Sequence, residues 1–236
     1  IADIFAADNW IDKERFLELA GNAGFIAELG LGQLSSLEGY LFPDTYLLVR
    51  PSPGEEKILS RLVNRALGVY RSLEPGDTAL TRHQVFTLAS IVEKETGRAD
   101  ERPLIASVFH NRLGRRMKLQ SDPTVIYGMG DAFDGNIRRK DLLRDTPYNT
   151  YTRRGLPPTP IAMPGFASLR AAAHPAPGEE LFADLEHTDL PLQHVNPAAG
   201  VIQIVDIERE DQFLFGIIHH CFLSGHGHVV RRPGRV

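Results

Sequence analysis

Apolar residues recur along the chain with the spacing of helices, and the clearest run lies between residues 81 and 97. Six apolar positions fall on one side of a 3.6-residue period: Val85, Phe86, Leu88, Ala89, Ile91 and Val92. Thr81 and Gln84 have the spacing of a capping box at its start, and Gly97 is a helix-stop signal at its end. The pattern predicts a central helix with one buried face.

Two glutamates close this predicted helix. At about 100° per residue, Glu93 and Glu95 lie on the two edges of the apolar stripe, whereas Lys94 points away from it. Glu95 lies beside Leu88, and a carboxyl at the border of a core is partly desolvated, which raises its pKa. A general acid needs that state near neutral pH. The alternative interpretation is a solvated, charged last turn.

The remaining apolar and turn signals predict short strands and further helices. Two helices are expected within residues 1–29, the second capped by Asp12, and a long amphipathic helix over residues 55–72. Another helix follows with Pro103 in its first turn, and a last one covers residues 164–174. Strands are predicted at residues 45–49, 117–120, 201–207 and 213–222.

Several polar residues could serve either local structure, as helix caps or turn residues, or substrate binding. Asp122 and Pro123 form a cap and first turn for a small helix over residues 124–128, although Asp122 is also a candidate ligand of substrate. Gln120 precedes this helix, and its amide can both donate to and accept from sugar groups. Glu38 is either part of local turn chemistry or part of a sugar cleft.

Residues 146–165 form a long proline-rich loop, TPYNTYTRRGLPPTPIAMPG. Long loops within compact domains are commonly functional, and prolines stiffen them. Tyr148 and Tyr151 offer flat faces with a polar tip for sugar stacking, and Asn149 lies between them. The alternative is simple packing of the loop on the domain.

Composition excludes several classes of function. The chain has 236 residues, 42% of them hydrophobic and 24% charged, and a formal net charge of −4, so no basic field indicates nucleic acid. One cysteine, Cys221, excludes an intramolecular disulfide. The nine histidines show no metal-ligand spacing with a nearby carboxylate, and we expect neither a metal nor a cofactor. No apolar run approaches the length of a membrane span.

Six motifs occur in an order that resembles the YceG-like family of membrane-anchored endolytic murein transglycosylases. They are LEGYLFPDTY (37–46), LASIVEKET (88–96), SVFHNRL (107–113), MKLQSDPTVIYGMG (117–130), TPYNTY (146–151) and GLPPTPIAMPG (155–165). The resemblance covers residues 1–182 and fails beyond them.

The resemblance implies a fold and a division of the chain. We expect an α+β protein with a helix-centred, lysozyme-like catalytic domain and short strands. Residues 1–36 would be an incomplete LysM-like module, 37–80 a linking strand-helix segment, 81–182 the catalytic domain and 183–236 a divergent C-terminal segment. No catalytic residue is expected after residue 182.

The implied activity is a lytic transglycosylase that cuts peptidoglycan between N-acetylmuramic acid and N-acetylglucosamine and leaves 1,6-anhydro ends. Glu95 is the expected catalytic acid, because Glu95-Thr96 is similar to the Glu-Ser dipeptide of other lytic transglycosylases. Glu93 is the alternative, with a structural role such as pairing with an arginine. The expected substrate-binding residues are Gln120, Asp122, Asn149, Tyr151, Tyr148 and Glu38.

Two other functions remain open at this point. A muramidase-type hydrolase would use Asp122 or Glu38 as a second carboxylate, and a non-catalytic module would bind glycan without cutting it. The family implies peptidoglycan strands as substrate, peptidoglycan synthases as partners, and work at the extracytoplasmic face of the bacterial inner membrane. The chain begins within a predicted helix, so we expect it to be a soluble piece whose N-terminal membrane anchor lies outside it.

Overall fold

The computed structural model describes residues 1–76 and 79–182, and the backbone of residues 203–207. These residues form a helix-rich α+β fold. Its helices are α1 (Ala2–Ala7), α2 (Lys13–Ala20), α3 (Ala23–Glu28), α4 (Glu55–Ser72), α5 (Arg82–Glu95), α6 (Arg102–Gly114), α7 (Asp122–Met129), α8 (Arg139–Leu143) and α9 (Phe166–Ala173). Its strands are β1 (Thr45–Val49) and β2 (Gln203–Ile207).

The central helix α5 forms as predicted. Thr81 accepts a hydrogen bond from the backbone of Gln84, whose side chain in turn accepts from the backbone of Thr81, so the capping box is complete. All six predicted apolar positions are fully buried. The helix ends at Glu95 rather than at Gly97, because Thr96 adopts an extended conformation. Glu95 is therefore the last helical residue.

Helix α9 packs against both α5 and α6, and α5 also contacts α6. The contact is close because α9 presents a run of three small residues, Ala171, Ala172 and Ala173, all buried. Leu169 is fully buried. The helix begins two residues later than predicted, at Phe166, with Gly165 before its first turn.

The N-terminal part contains three helices rather than the predicted two. Asp12 caps α2 as predicted, since its carboxylate accepts from the backbone N–H of Arg15 at 2.7 Å. Asn22 caps a separate helix, α3, by the same type of bond to Phe25 at 2.9 Å. The Asn22 cap interrupts the apolar pattern and starts a new helix, and hydrophobic periodicity alone does not reveal this break.

Strand β1 has the predicted bounds and buries Tyr46 and Leu48 on one face. It pairs in parallel with β2, with Thr45 opposite Gln203 and Val49 opposite Ile207. The predicted strand 201–207 is therefore confirmed at residues 203–207, whereas the predicted strand 213–222 lies outside the described residues. Residues 117–120 do not form the predicted strand.

One hydrophobic core joins the segments on either side of residue 80. Tyr40 stacks on Phe86 of α5, with ring centroids 4.4 Å apart. The 146–165 loop reaches the same region, where Pro160 lies against Gly39. A Cβ at position 39 would lie only 2.4 Å from Pro160, and the φ of Gly39 is +85°. Any side chain at position 39 would push this loop away from the core.

Candidate active site

Glu95 is the last residue of α5, and groups from three other segments interact with it through a hydrogen bond or through their charge. The Ser121 hydroxyl donates a hydrogen bond of 2.5 Å to Glu95 Oε1. The pKa of Glu95 is raised to about 7, chiefly by burial; the Ser121 hydrogen bond and the Arg112 guanidinium oppose this rise, and the charge of Asp122 adds to it. The predicted rise in pKa is thus confirmed. Glu95 can both give and take a proton near neutral pH.

Glu93, in contrast, is buried and bonded to neighbouring helices. Its side chain is 4% exposed, and Oε1 accepts from Arg102 Nη2 at 3.0 Å. The other oxygen, Oε2, accepts from the backbone N–H of Gly165 at 2.9 Å. Both oxygens are occupied, so Glu93 ties α5 to α6 and to the start of α9. This is the arginine pairing predicted for Glu93.

Asp122 and Tyr151 lie together beside Glu95. The Tyr151 hydroxyl donates to Asp122 Oδ1 at 2.6 Å. Burial, the bond to Asp122 and the charge of Glu95 all raise the pKa of Tyr151. Asp122 is the first residue of α7 and not its cap, because Ser121 precedes the helix and the Asp122 side chain caps nothing. The carboxylate of Asp122 therefore has a partner from the 146–165 loop.

Gln120 sits at the edge of this group in an unusual backbone conformation. Its φ is +53°, a left-handed value that non-glycine residues seldom adopt. The surrounding structure holds it there, because Gln120 N donates to the carbonyl of Thr150 at 3.2 Å and Ser121 N donates to Thr150 Oγ1 at 3.0 Å. Strain of this kind clusters at functional sites. The Gln120 side chain is exposed and accessible to a ligand.

Asn149, an expected substrate-binding residue, is buried, and backbone groups of the surrounding segments engage its side-chain amide. The side chain is 1% exposed. Its Nδ2 lies within hydrogen-bonding distance of three backbone carbonyls, the shortest being that of Arg144 at 2.6 Å. Its Oδ1 accepts from the backbone of Tyr151 at 2.8 Å and of Thr152 at 3.3 Å. Asn149 holds the loop that carries Tyr151.

Glu38 and Tyr148 meet at the opposite end of α7 from Asp122. The Tyr127 hydroxyl donates to Glu38 Oε2 at 2.5 Å. The rings of Tyr127 and Tyr148 lie 4.7 Å apart at an angle of 58°. The Tyr148 hydroxyl shares a hydrogen bond of 2.8 Å with Thr159 Oγ1. Five helical positions separate Asp122 from Tyr127, or about 8 Å along the axis.

Arg112 supplies a buried cation beneath the site. It is 8% exposed, and it donates to the carbonyl oxygens of Leu119 at 2.5 Å and Leu181 at 2.8 Å. The bond to Leu119 fixes the turn that leads into Ser121. Arg112 thus positions the hydroxyl that contacts Glu95, and its charge opposes the rise in the pKa of Glu95.

Comparison with known proteins places the chain in a family. Residues 1–187 match the family model described as the YceG-like family. The chain belongs to the YceG-like family. An endolytic murein transglycosylase of Bacillus subtilis is 42% identical over 149 residues, which cover 62% of this chain and 41% of that protein. One of Streptococcus pneumoniae is 33% identical over 166 residues, covering 68% of this chain and 30% of that protein.

A solved structure agrees with the family assignment. The crystal structure of a YceG-like protein from Listeria monocytogenes matches with a TM-score of 0.66 and 34% identity, over 77% of this chain and 64% of that chain. The chain spans less than half the length of the curated YceG-like relatives it matches.

Three residues of the candidate site were not predicted from the sequence, although they lie within the motifs that resemble the YceG-like family. Ser121 stands between Gln120 and Asp122, Tyr127 follows in the same motif, and Arg112 belongs to SVFHNRL. Their place in these motifs was the available signal, but their roles depend on contacts across the fold.

Among the described residues, no helix has the length and apolarity needed to cross a membrane.

Proposed function

We propose that this chain carries the catalytic centre of an endolytic peptidoglycan lytic transglycosylase. The observation that supports the proposal most strongly is Glu95, a carboxyl whose pKa burial raises to about 7, at a site formed by family motifs. The curated relatives are named endolytic murein transglycosylases. A single carboxyl of this kind fits a reaction in which one group acts first as acid and then as base.

The chain's residues would act in two steps. Protonated Glu95 gives its proton to the glycosidic oxygen between N-acetylmuramic acid and N-acetylglucosamine, and that bond breaks. The resulting carboxylate, stabilised by the Ser121 hydroxyl, takes the proton of the muramyl C6 hydroxyl as this oxygen bonds to the anomeric carbon. The product is a 1,6-anhydro end, and Glu95 returns to its acid form.

The substrate would lie along α7. Gln120, Asp122 and Tyr151 would contact the sugar at the cleaved bond, and Tyr148 and Glu38 would contact a sugar at the other end of the helix. The exposed amide of Gln120 and the paired hydroxyl and carboxylate of Tyr151 and Asp122 support this arrangement. Asn149, whose amide is consumed by backbone groups, would position the loop without touching the glycan.

A muramidase-type hydrolase is the second candidate, and Asp122 favours it. The charge of Asp122 contributes to the raised pKa of Glu95, so the two carboxyls interact. In a hydrolase, Asp122 would activate a water or bond to the sugar while Glu95 acts as acid. Glu38 is a weaker second carboxylate, because the Tyr127 hydroxyl holds it at the far end of α7.

The finer architecture and the cellular setting extend the proposal to the whole protein. Residues 81–182 would be a lysozyme-like catalytic domain, joined by segment 37–80 to an incomplete LysM-like module at residues 1–36 that adds glycan affinity. The full-length protein would work at the extracytoplasmic face of the inner membrane, anchored by a segment outside this chain. There it would act on new strands beside peptidoglycan synthases in cell wall biogenesis.

Digestion of purified peptidoglycan with mass analysis of the released sugars tests the activity. A transglycosylase product is one water lighter than a hydrolase product, and a non-catalytic binding module releases nothing. Glu95→Gln should lose activity and keep glycan binding. Glu93→Gln is the matched comparison two residues away. Activity lost with Glu93→Gln at constant folded fraction, and kept with Glu95→Gln, would reverse the assignment.

A further inference from the structure

A cavity of about 280 Å³ lies within the 147–158 loop, and Glu95 does not line it. Its walls combine polar and apolar groups, including Thr150, Arg153, Arg154, Leu156 and Pro157. A ligand that suits such walls has both a charged group and alkyl groups. A sugar ring itself, which is rich in hydroxyls, carries no charged group.

The loop around the cavity is held in shape by bonds at its ends and its base. The hydroxyls of Tyr148 and Thr159 share a hydrogen bond of 2.8 Å and close the loop. His83 Nε2 lies 2.9 Å from the carbonyl oxygen of Pro158 and ties the loop to α5. Asn149 binds the base of the loop through its buried amide. The cavity is therefore formed before a ligand arrives, which lowers the entropic cost of binding.

The cavity carries an excess positive charge. Asp145 pairs with Arg153 through two bonds, of 2.8 Å to Nε and 2.9 Å to Nη2. Arg154 is exposed, and within the described part of the chain no carboxylate pairs with it. Both arginines lie between residues 148–151 and 155–158, the two parts of the loop that match the family pattern closely. The guanidinium of Arg154 is thus available to a carboxylate, which it binds in a forked geometry.

The cavity also lies close to the proposed acid. Thr150, which lines the cavity, accepts a hydrogen bond from the backbone N–H of Ser121 at 3.0 Å. The Ser121 hydroxyl bonds to Glu95. Only two residues therefore separate the cavity wall from the reacting bond. An extended peptide of three to five residues spans about 10–17 Å, which is enough to connect the two places.

We propose that this cavity binds the stem peptide carried by a muramyl residue at the cleaved bond. Arg154 would bind a carboxylate of that peptide, and Leu156 and Pro157 would contact its alkyl side chains. This inference rests on the proposed function, because it assigns a second part of the same substrate. It predicts a preference for glycan strands that keep their stem peptides over strands from which an amidase has removed them.

Cleavage of the two kinds of strand tests the preference. The wild-type chain should show a KM about tenfold lower for peptide-bearing strands, the usual size of a hydrogen bond to a charged group, with little change in kcat. Arg154→Gln should raise the KM for peptide-bearing strands to the value for denuded strands. Arg170→Gln is the control, since it removes an exposed guanidinium from α9, outside the cavity.

Binding provides a readout that does not depend on cleavage. A soluble muramyl peptide should bind the Glu95→Gln variant about tenfold more tightly than the Glu95→Gln/Arg154→Gln double variant, whereas the peptide-free sugar should bind both equally. Equal KM values of wild type for the two strands, or an equal loss on both strands in Arg154→Gln, would overturn the inference. Failure of wild type to cut either strand would instead refute the proposed function, and the binding comparison would still decide the role of Arg154.

Discussion

Replacement of Glu95 by glutamine should stabilise the folded protein at neutral and alkaline pH while it removes catalysis. Burial raises the pKa of Glu95 from 4.5 to about 7. Each unit by which the pKa in the folded state exceeds that in the unfolded state lowers the free energy of unfolding by about 1.4 kcal/mol once the carboxyl is ionised. Ionised Glu95 therefore lowers the free energy of unfolding by about 3 kcal/mol. A glutamine of the same shape avoids this cost and can still accept from Ser121.

The pH dependence has a definite sign. Below the ordinary pKa, Glu95 is protonated in the folded and unfolded states alike, so its titration does not affect stability. Between 4.5 and about 7 only the unfolded chain loses the proton, and stability falls as the pH rises. Above that range both states are ionised, and the penalty is constant. The advantage of Glu95→Gln should thus grow across this range and then level off.

Urea denaturation of wild type and Glu95→Gln, at several pH values between about 4.5 and 8.5, measures this difference. Peptidoglycan digestion at the same pH values should show turnover about two to four orders of magnitude lower in the variant. Glu93→Gln is the contrasting control. It leaves Arg102 without its buried partner, and we expect it to lose about 3 kcal/mol or more of stability.

Three results would contradict these expectations. A stability difference between wild type and Glu95→Gln that is the same at low and high pH would show that Glu95 does not titrate near 7. Normal turnover by Glu95→Gln would show that the raised pKa serves no catalytic step. A stable Glu93→Gln variant would contradict the structural role of the Arg102 pair.

Three further predictions concern neighbouring side chains. Ser121→Ala removes a hydrogen bond that favours ionised Glu95, so the pH at which activity falls should rise by about one unit in a pH–rate profile. Tyr151→Phe should lower kcat/KM about tenfold with little change in Tm, because it removes only the hydroxyl that bonds to Asp122; a Tm loss with normal kcat/KM would contradict this. Asn149→Ala should lose about 2 kcal/mol or more in urea denaturation, because it leaves buried backbone groups unpaired; an unchanged midpoint would contradict its structural role.

Local patterns in the sequence determined the secondary structure that surrounds the site. The apolar period of α5, its capping box and the Asp12 cap of α2 involve residues within one or two turns of each other, and all were predicted correctly. The bounds of β1 and α4 were also correct. The position of Glu95 at the border of the core followed from the helical period alone, as did the direction of its pKa.

The tertiary structure decided what each polar side chain does. Ser121 reaches Glu95 across 26 positions of the chain, and the fold, not the local pattern, turns Asp122 toward Tyr151. Asn149 looked like a ligand of sugar, yet the fold buries it among backbone carbonyls. Residues 117–120 looked like a strand, but Met117 N donates to the carbonyl of Arg112 and Gln120 N to that of Thr150. Periodicity encodes burial along one element, whereas a hydrogen-bond partner from a distant segment is determined only when the segments pack.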